Sequence, residues 1–437
     1  MSQPEAPHPS PALKSPHPSA FAALIIPFGA MSGFVSVSMA FLCTRNGLTV
    51  EDGALLVASG MFPHMWKYLW APIADTTLTR KRWYLISVVL CALGITAMSA
   101  IPMSKGNMHL LEFVIFIANL ASTFLGMSVE GLMAHITPPE QRGRVGGWFQ
   151  AGNLGGNGLG GGAGLWLATH LPQAWMAGAV LGVAFLVGTL ALICMPEVAA
   201  ESRAVSLPRA MLAVLVDLWQ VIKTRAGLLC ATLCLLPINT GAATSVLAQA
   251  EVAAKWGADE DTVALVSGTL NGVISGIGCL FGGEVCARIN SRKVYAAVAL
   301  IMAAVSAGMA VSPFTKTNYI VYTLAYAFVV GMSYTAFTGF VLDAIGKGAA
   351  ATKYNVFASL SNTPITYMGL VLAWAQTKGA EKAVLLKEAG EAAATSTIGE
   401  KTMLFTDAGA GVIGLVVLGI VAAALAPRKS IPPPVPA

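Results

Sequence analysis

Lys67 stands in the apolar stretch MFPHMWKYLWAPIAD, three residues after His64. That spacing puts both side chains on one helical face. A lysine near mid-bilayer costs about 2.5–3.5 kcal/mol on insertion scales, so an ammonium kept there points to a use. It can hold an anionic group of a solute or pair with an intramembrane acid. The plainer reading is snorkelling, with the amine drawn to the nearer surface. Asp75 lies eight residues on, roughly 12 Å of helix. Because side chains tilt toward the helix N-terminus, the amine is expected to lean toward the bilayer centre. Glu130 is the matching acid. It ends a stripe of Asn119, Thr123, Gly126 and Glu130 at i, i+4, i+7 and i+11. Removal from water favours the neutral form of a carboxyl, so such an acid can carry a proton. The alternative is a fixed bond to a loop arginine. His64 can shuttle a proton or serve as a hydrogen-bonded structural histidine.

Amides form a second set. Gln150, Asn153 and Asn157 fall at i, i+3 and i+7, and Asn355, Ser359, Asn362 and Thr366 repeat the pattern later in the chain. Asn239 and Asn271 lie in other apolar runs, and Tyr367 offers a ring for stacking. Buried amides need partners. They either join helices or line a polar cavity for a solute. Asp75 and Glu284 sit where apolar runs end in basic turns, with Asp343 at a similar boundary. Such acids can close one end of a bundle against arginines and helix N-termini. Arg142 and Arg144 are the expected partners of Asp75 and Glu284.

Gly152, Gly156, Gly160 and Gly164 repeat every four residues, a pattern that lets helices approach closely in lipid. The same segment matches GxGxxG at Gly156, Gly158 and Gly161, but no strand precedes it and no acid follows at the right distance, so a dinucleotide is not expected. The seven cysteines show no metal or disulfide spacing. No metal or cofactor is expected.

These residues need positioning by membrane-spanning helices. The chain has 437 residues, 56% hydrophobic and 11% charged, against about 25% charged in soluble domains. Mean hydropathy is +0.70. The fold class expected is an all-α membrane protein of twelve spans in two six-helix bundles, at 20–195 and 226–426. A cytoplasmic linker at 196–225 joins them, and tails occupy 1–19 and 427–437. Both tails then share one side. Arg80, Lys81, Arg82, Arg142, Arg144 and Lys353 fall in turns on that side, which makes it cytoplasmic by the positive-inside rule. The basic residues sit in these short turns, so nucleic acid is not a partner; lipid is. The linker stretch MLAVLVDLWQVIK reads as an amphipathic surface helix. A long outer loop is expected near 377–403, its EKAVLLKEAGEAAA stretch forming either a helix with i,i+4 charge pairs or a solvated connector. The halves repeat: Asp75 matches Glu284, and Arg144 matches Lys353, both at an offset of 209 (284−75, 353−144). Parallel halves of this kind mark the major facilitator architecture.

KYLWAPIAD with its basic turn, ITPPEQRGRVGGW and ATKYNVFASLSNTP together resemble the AmpG-like muropeptide permeases and the related acetyl-CoA transporters. The resemblance covers most of the chain. It implies a major facilitator fold and proton-driven solute transport. It departs from the family in having one acid, Glu130, where two or more are frequent, and Lys353 where Gln is frequent. The glycines of the fifth span lack the proline of the antiporter signature, which favours symport. The resulting expectation is a monomeric inner-membrane permease. It would import a moderately large polar or anionic solute such as a muropeptide, with a siderophore or an acetyl-CoA-like nucleotide as alternative cargo. A membrane acyltransferase or a non-transporting receptor would need a catalytic cluster or a signalling domain, and neither is evident.

Overall fold

The computed structural model describes residues 16–48, 50–197, 207–248, 250–345, 350–388 and 397–425; the tail to residue 15 and the tail from residue 427 lie outside them. Helices dominate the described residues, and none of these residues forms a strand. Lipid offers no hydrogen-bond partner, so a spanning backbone satisfies itself within helices.

The first half holds α1 (Ser19–Gly33, continuing through a π turn at Phe34–Met39 into Ala40–Arg45), α2 (Val50–Trp66), α3 (Ala71–Thr76), α4 (Arg80–Ala100), α5 (Met108–Ile136), α6 (Arg142–His170) and α7 (Ala174–Gly188). The linker helix is α8 (Leu207–Lys223). The second half holds α9 (Arg225–Leu235), α10 (Asn271–Arg288, after a π turn at Ala264–Leu270), α11 (Ser291–Val311), α12 (Lys316–Ile345), α13 (Ala350–Glu388) and α14 (Ile398–Ala424). Each half packs mainly on itself, and the halves meet along α6–α10, α6–α12 and α5–α13.

Nine helices among the described residues are long and apolar enough to cross a membrane. Three of the expected spans miss that mark for local reasons. The second is broken between α2 and α3 by a 3-10 turn at Lys67–Leu69. Pro72 lacks the N–H that would reach the Tyr68 carbonyl one turn back, so the α ladder stops there. The fifth, α6, is rich in glycine. The seventh is interrupted after Leu235, where Asn239 takes a φ of 56°. α8 meets α9 at 91°, as a surface helix turning into the membrane does. Its Leu212, Leu215 and Trp219 are exposed.

The expected outer loop at 377–403 is helical at both ends, and its first part bears out the helical alternative for that stretch. α13 continues to Glu388 and α14 begins at Ile398. Lys378 and Glu381, read as loop charges, form an i,i+3 pair on α13, and Glu400 is fully buried on α14.

The glycines of α6 serve two seams. A methyl on Gly160 would lie 2.0 Å from the Ala30 carbonyl oxygen, and one on Gly152 would lie 2.4 Å from that of Ala22. α1 answers with Gly33, where a methyl would meet the Asn157 carbonyl at 1.9 Å. On the other face, Gly147 meets Gly283 and Gly158 meets Gly272, with added methyls 2.7 Å and 3.1 Å from the facing Cα. One helix therefore binds its own half and the opposite half at backbone distance.

Candidate functional site

Lys67 sits in the 3-10 turn, and its Nζ lies 3.4 Å from Glu130 Oε1; the side chains are 9% and 5% exposed. The other oxygen of Glu130 accepts a 2.7 Å hydrogen bond from Asn355 Nδ2 on α13. The acid thus joins a cation of its own half to an amide of the other. The Phe28 ring lies 5.9 Å from the ammonium and meets the His64 ring edge-on at 5.0 Å. Gly126 makes room for it, since a methyl there would lie 3.0 Å from that ring. His64 bonds Asn119 at 3.2 Å, and Trp70 donates to Thr123 at 3.0 Å. The polar stripe of α5 therefore faces the broken second span.

Lys67 pairs with the intramembrane acid that the sequence offered as a partner, but the expected lean of its amine changes. His64 is level with Asn119, yet Lys67, three residues on, reaches an acid eleven residues beyond Asn119. The eight-residue difference is roughly 12 Å of helix. The ammonium points toward the basic turns and not toward the bilayer centre, because the 3-10 turn releases it from the α-helical tilt. Glu130 bonds this lysine and an asparagine, not a loop arginine.

The arginine that holds Asp75 is not one of the two expected. Arg80, five residues on, holds it through its guanidinium and also bonds the Ala74 carbonyl at 2.8 Å. The arginine fits because residue 131 is glycine; a methyl there would lie 2.8 Å from its Nε. The second oxygen of Asp75 accepts from the Thr352 backbone N–H at 2.8 Å and its hydroxyl at 2.6 Å. These groups stand in the first turn of α13, where orphan amides favour an anion. Of the two arginines expected against Asp75 and Glu284, Arg144 does meet Glu284, while Arg142 meets Asp343. Arg142 Nη1 is 2.6 Å from Asp343 Oδ1. Arg144 forks onto Glu284 at 2.7 and 3.0 Å. The internal repeat makes Lys353 and Asp75 the counterparts of Arg144 and Glu284, but Thr352 takes the acid instead. Lys353, buried, pairs with Asp217 of α8 at 2.9 Å.

Gln150 donates to Thr338 of α12 at 2.8 Å and accepts from Asn153 at 3.1 Å; the Tyr354 hydroxyl stands 3.2 Å from Thr338. Asn157 lies on the α1 seam described above. Asn271 accepts from Ser275 at 3.3 Å, Asn362 is exposed, and Tyr367 donates to the Leu235 carbonyl at 3.0 Å. Asn239 Nδ2 donates to the Tyr295 carbonyl at 3.1 Å. It lines a small hollow of about 40 Å³ with Tyr295, Ser333, Tyr334 and Phe337. That hollow lies inside the second half, apart from Lys67. Arg80, Thr352 and Asp217 were given no site role by the sequence, and Asn355 stood out only as part of the amide pattern of its helix. Arg80 was legible as a neighbour of Asp75, but the others depend on the packing of α13.

The polar bonds that cross between halves among the described residues gather at the basic end: Asp75–Thr352, Glu130–Asn355, Arg142–Asp343, Arg144–Glu284 and Gln150–Thr338. At the opposite end, Lys105–Asp52, Lys255–Glu400 and Lys316–Asp259 each stay within one half. Lys316, with the Thr262 hydroxyl, holds the Asp259 carboxyl well below the usual carboxylate range.

Two helical halves, closed on each other at one end around a buried ion pair, define a membrane transporter. The chain matches the Major Facilitator Superfamily over residues 19–366 and belongs to that family of transporters. Among curated proteins it is similar to the anhydromuropeptide permeases of Escherichia coli K12 and O157:H7. Each is 23% identical over 323 residues, 71% of this chain. The match spans 64% of those relatives' length. Among solved structures it shares the fold of the human organic anion transporter MFSD10, with a TM-score of 0.63, 16% identity and coverage of 92% of this chain and 98% of that one. It also shares the fold of the proton:xylose symporter XylE bound to 6-bromo-6-deoxy-D-glucose, with a TM-score of 0.59, 13% identity and coverage of 92% and 94%.

Proposed function

We propose that this transporter is a proton-coupled importer of a polar, anionic solute of the muropeptide class, working as a monomer. It resides in the inner membrane with its basic end and both tails cytoplasmic. The observation that carries the reading is Glu130, bonded at once to Lys67 and, across the seam, to Asn355. A proton on Glu130 cancels its charge and releases Lys67. The freed ammonium then takes an anionic group of the solute. One negative charge replaces another, so bound solute relieves the bare buried cation, a state that costs several kcal/mol. The same proton weakens the Asn355 bond and with it the closure of the cytoplasmic end. Proton and solute together favour opening inward because that state no longer needs the carboxylate's bonds. Asp75, Arg142, Arg144, Glu284 and Asp343 form the gate. The polar amides Gln150 and Asn153 lie beside it, where a sugar or peptide would pass.

The names of the curated relatives support the cargo class. Uptake of labelled anhydromuropeptide by cells expressing the chain tests the binding role. Lys67→Ala is expected to cut uptake at least tenfold at unchanged membrane levels, and Lys67→Arg, which keeps the cation, less. Undiminished uptake by Lys67→Ala would remove the lysine from the binding role. A siderophore or a nucleotide that competes where muropeptide does not would reassign the cargo.

A further inference from the structure

Asp407 is a buried acid that the account above does not use. It is nine residues into α14, roughly 14 Å of helix from the end opposite the basic turns. Its Oδ2 accepts from the Ser306 hydroxyl of α11 at 2.6 Å and the Tyr326 hydroxyl of α12 at 3.0 Å. The residue is 8% exposed, and among the described residues no cation lies within ion-pair distance of it.

The surrounding elements supply no counter-charge. On α11 the cations Arg292 and Lys293 lie at least thirteen residues toward the basic end, roughly 20 Å away. On α9, Arg225 is directed to the Ala422 carbonyl, fifteen residues further along α14. α13 runs antiparallel, and Gln376 bonding Glu400 sets residue 369 level with Asp407. The titratable group there is Tyr367, whose hydroxyl is given to Leu235. The helix Ala243–Leu247, which packs on α12 and α14, carries no charge. On α12, Lys316 lies ten residues from Tyr326 and is paired with Asp259. On α14 itself, the Lys401 ammonium lies over the Phe314 ring at 5.9 Å, and Glu400 stands two turns nearer the outer end on the same face. One oxygen of Glu400 bonds Lys255 at 2.7 Å, and the other, fully buried, has no partner.

We propose that Asp407 is a second proton-binding site, a neutral carboxyl reached from the outer face past Glu400. An ionised carboxylate held by two hydroxyls and no cation is disfavoured in a low dielectric, and a proton supplies the missing charge. Ser306 and Tyr326 bind the carbonyl oxygen of the acid form. The site therefore senses the relative placement of α11, α12 and α14 around the restart of the seventh span.

The test is infrared difference spectroscopy of the full chain in liposomes, stepped from acid through neutral to alkaline pH in potassium chloride. The expected result is a protonated-carboxyl stretch at neutral pH that shifts in heavy water. It vanishes in Asp407→Asn and persists in Glu130→Gln. Ser306→Ala moves it to higher frequency by removing a hydrogen bond to the carbonyl, and this variant carries the test if Asp407→Asn does not fold. An unchanged band in Asp407→Asn, no frequency change in Ser306→Ala, or loss of the band in sodium chloride would overturn the proposal, the last by making the site a sodium site. Failure of the Glu130 reading would leave the band in place, so the two are separable.

Discussion

At the residue scale, Lys67 and Glu130 depend on each other. Removing one partner of a buried pair leaves an uncompensated charge and costs about 3–5 kcal/mol, whereas replacing both is far milder. Lys67→Ala should therefore lower the thermal midpoint of the detergent-purified protein sharply. Lys67→Ala/Glu130→Gln should regain most of the loss. Additive losses in that cycle would mean that the two side chains do not share one interaction. Both residues were legible in the sequence because a charge in an apolar run stands out. The reach of Lys67 was not, because it depends on a 3-10 turn that Pro72 imposes and that helical periodicity does not report. Asp407 was overlooked for a related reason. It lies near the start of the last apolar run, and the true helix begins earlier, at Ile398, which moves the acid from the membrane edge to well inside.

At the element scale, α6 is the shared wall. Its four-residue glycine spacing announced close packing but not which helix it met. Two stripes on one helix, facing α1 and α10, cannot be told apart by spacing alone. Gly160→Val places a side chain on the Ala30 carbonyl and is expected to abolish a folded product in fluorescence-detected size-exclusion chromatography. Gly155→Ala, which meets nothing within 4 Å, should elute as the parent does. Normal folding of Gly160→Val would show that the α1–α6 seam is looser than these distances require. The extension of α13 as far as Glu388, into the expected outer loop, was obscured by its charges. Lys378, Glu381 and Lys382 lower hydropathy without breaking a helix, since pairs at i,i+3 and i,i+4 support one.

For the whole molecule, the halves close at the basic end through bonds of very different depth. Arg144 and Glu284 are about half exposed, so their pair contributes roughly 0–1 kcal/mol, while Asp75 is buried against α13. Cys286 lies beside this closure, against Gly143, and is buried. In a chain that keeps Cys286 as its sole cysteine, Arg144→Glu should raise maleimide labelling from the basic side up to about fivefold, the equivalent of about 1 kcal/mol. Adding Glu284→Arg should return it toward the parent. Labelling indifferent to both changes would remove this pair from the gate. The two-half architecture was readable from the 209-residue repeat, but the cross-pairing was not, because Lys353 leaves its symmetric acid for Asp217. The central claim is that a proton on Glu130 drives solute inward. It is tested most directly by purified protein in liposomes under an imposed acid-outside gradient, following labelled anhydromuropeptide. The parent should accumulate it above equilibrium and lose that accumulation with a protonophore, while Glu130→Gln only equilibrates it. Accumulation that ignores the protonophore, or Glu130→Gln concentrating solute like the parent, would contradict the account.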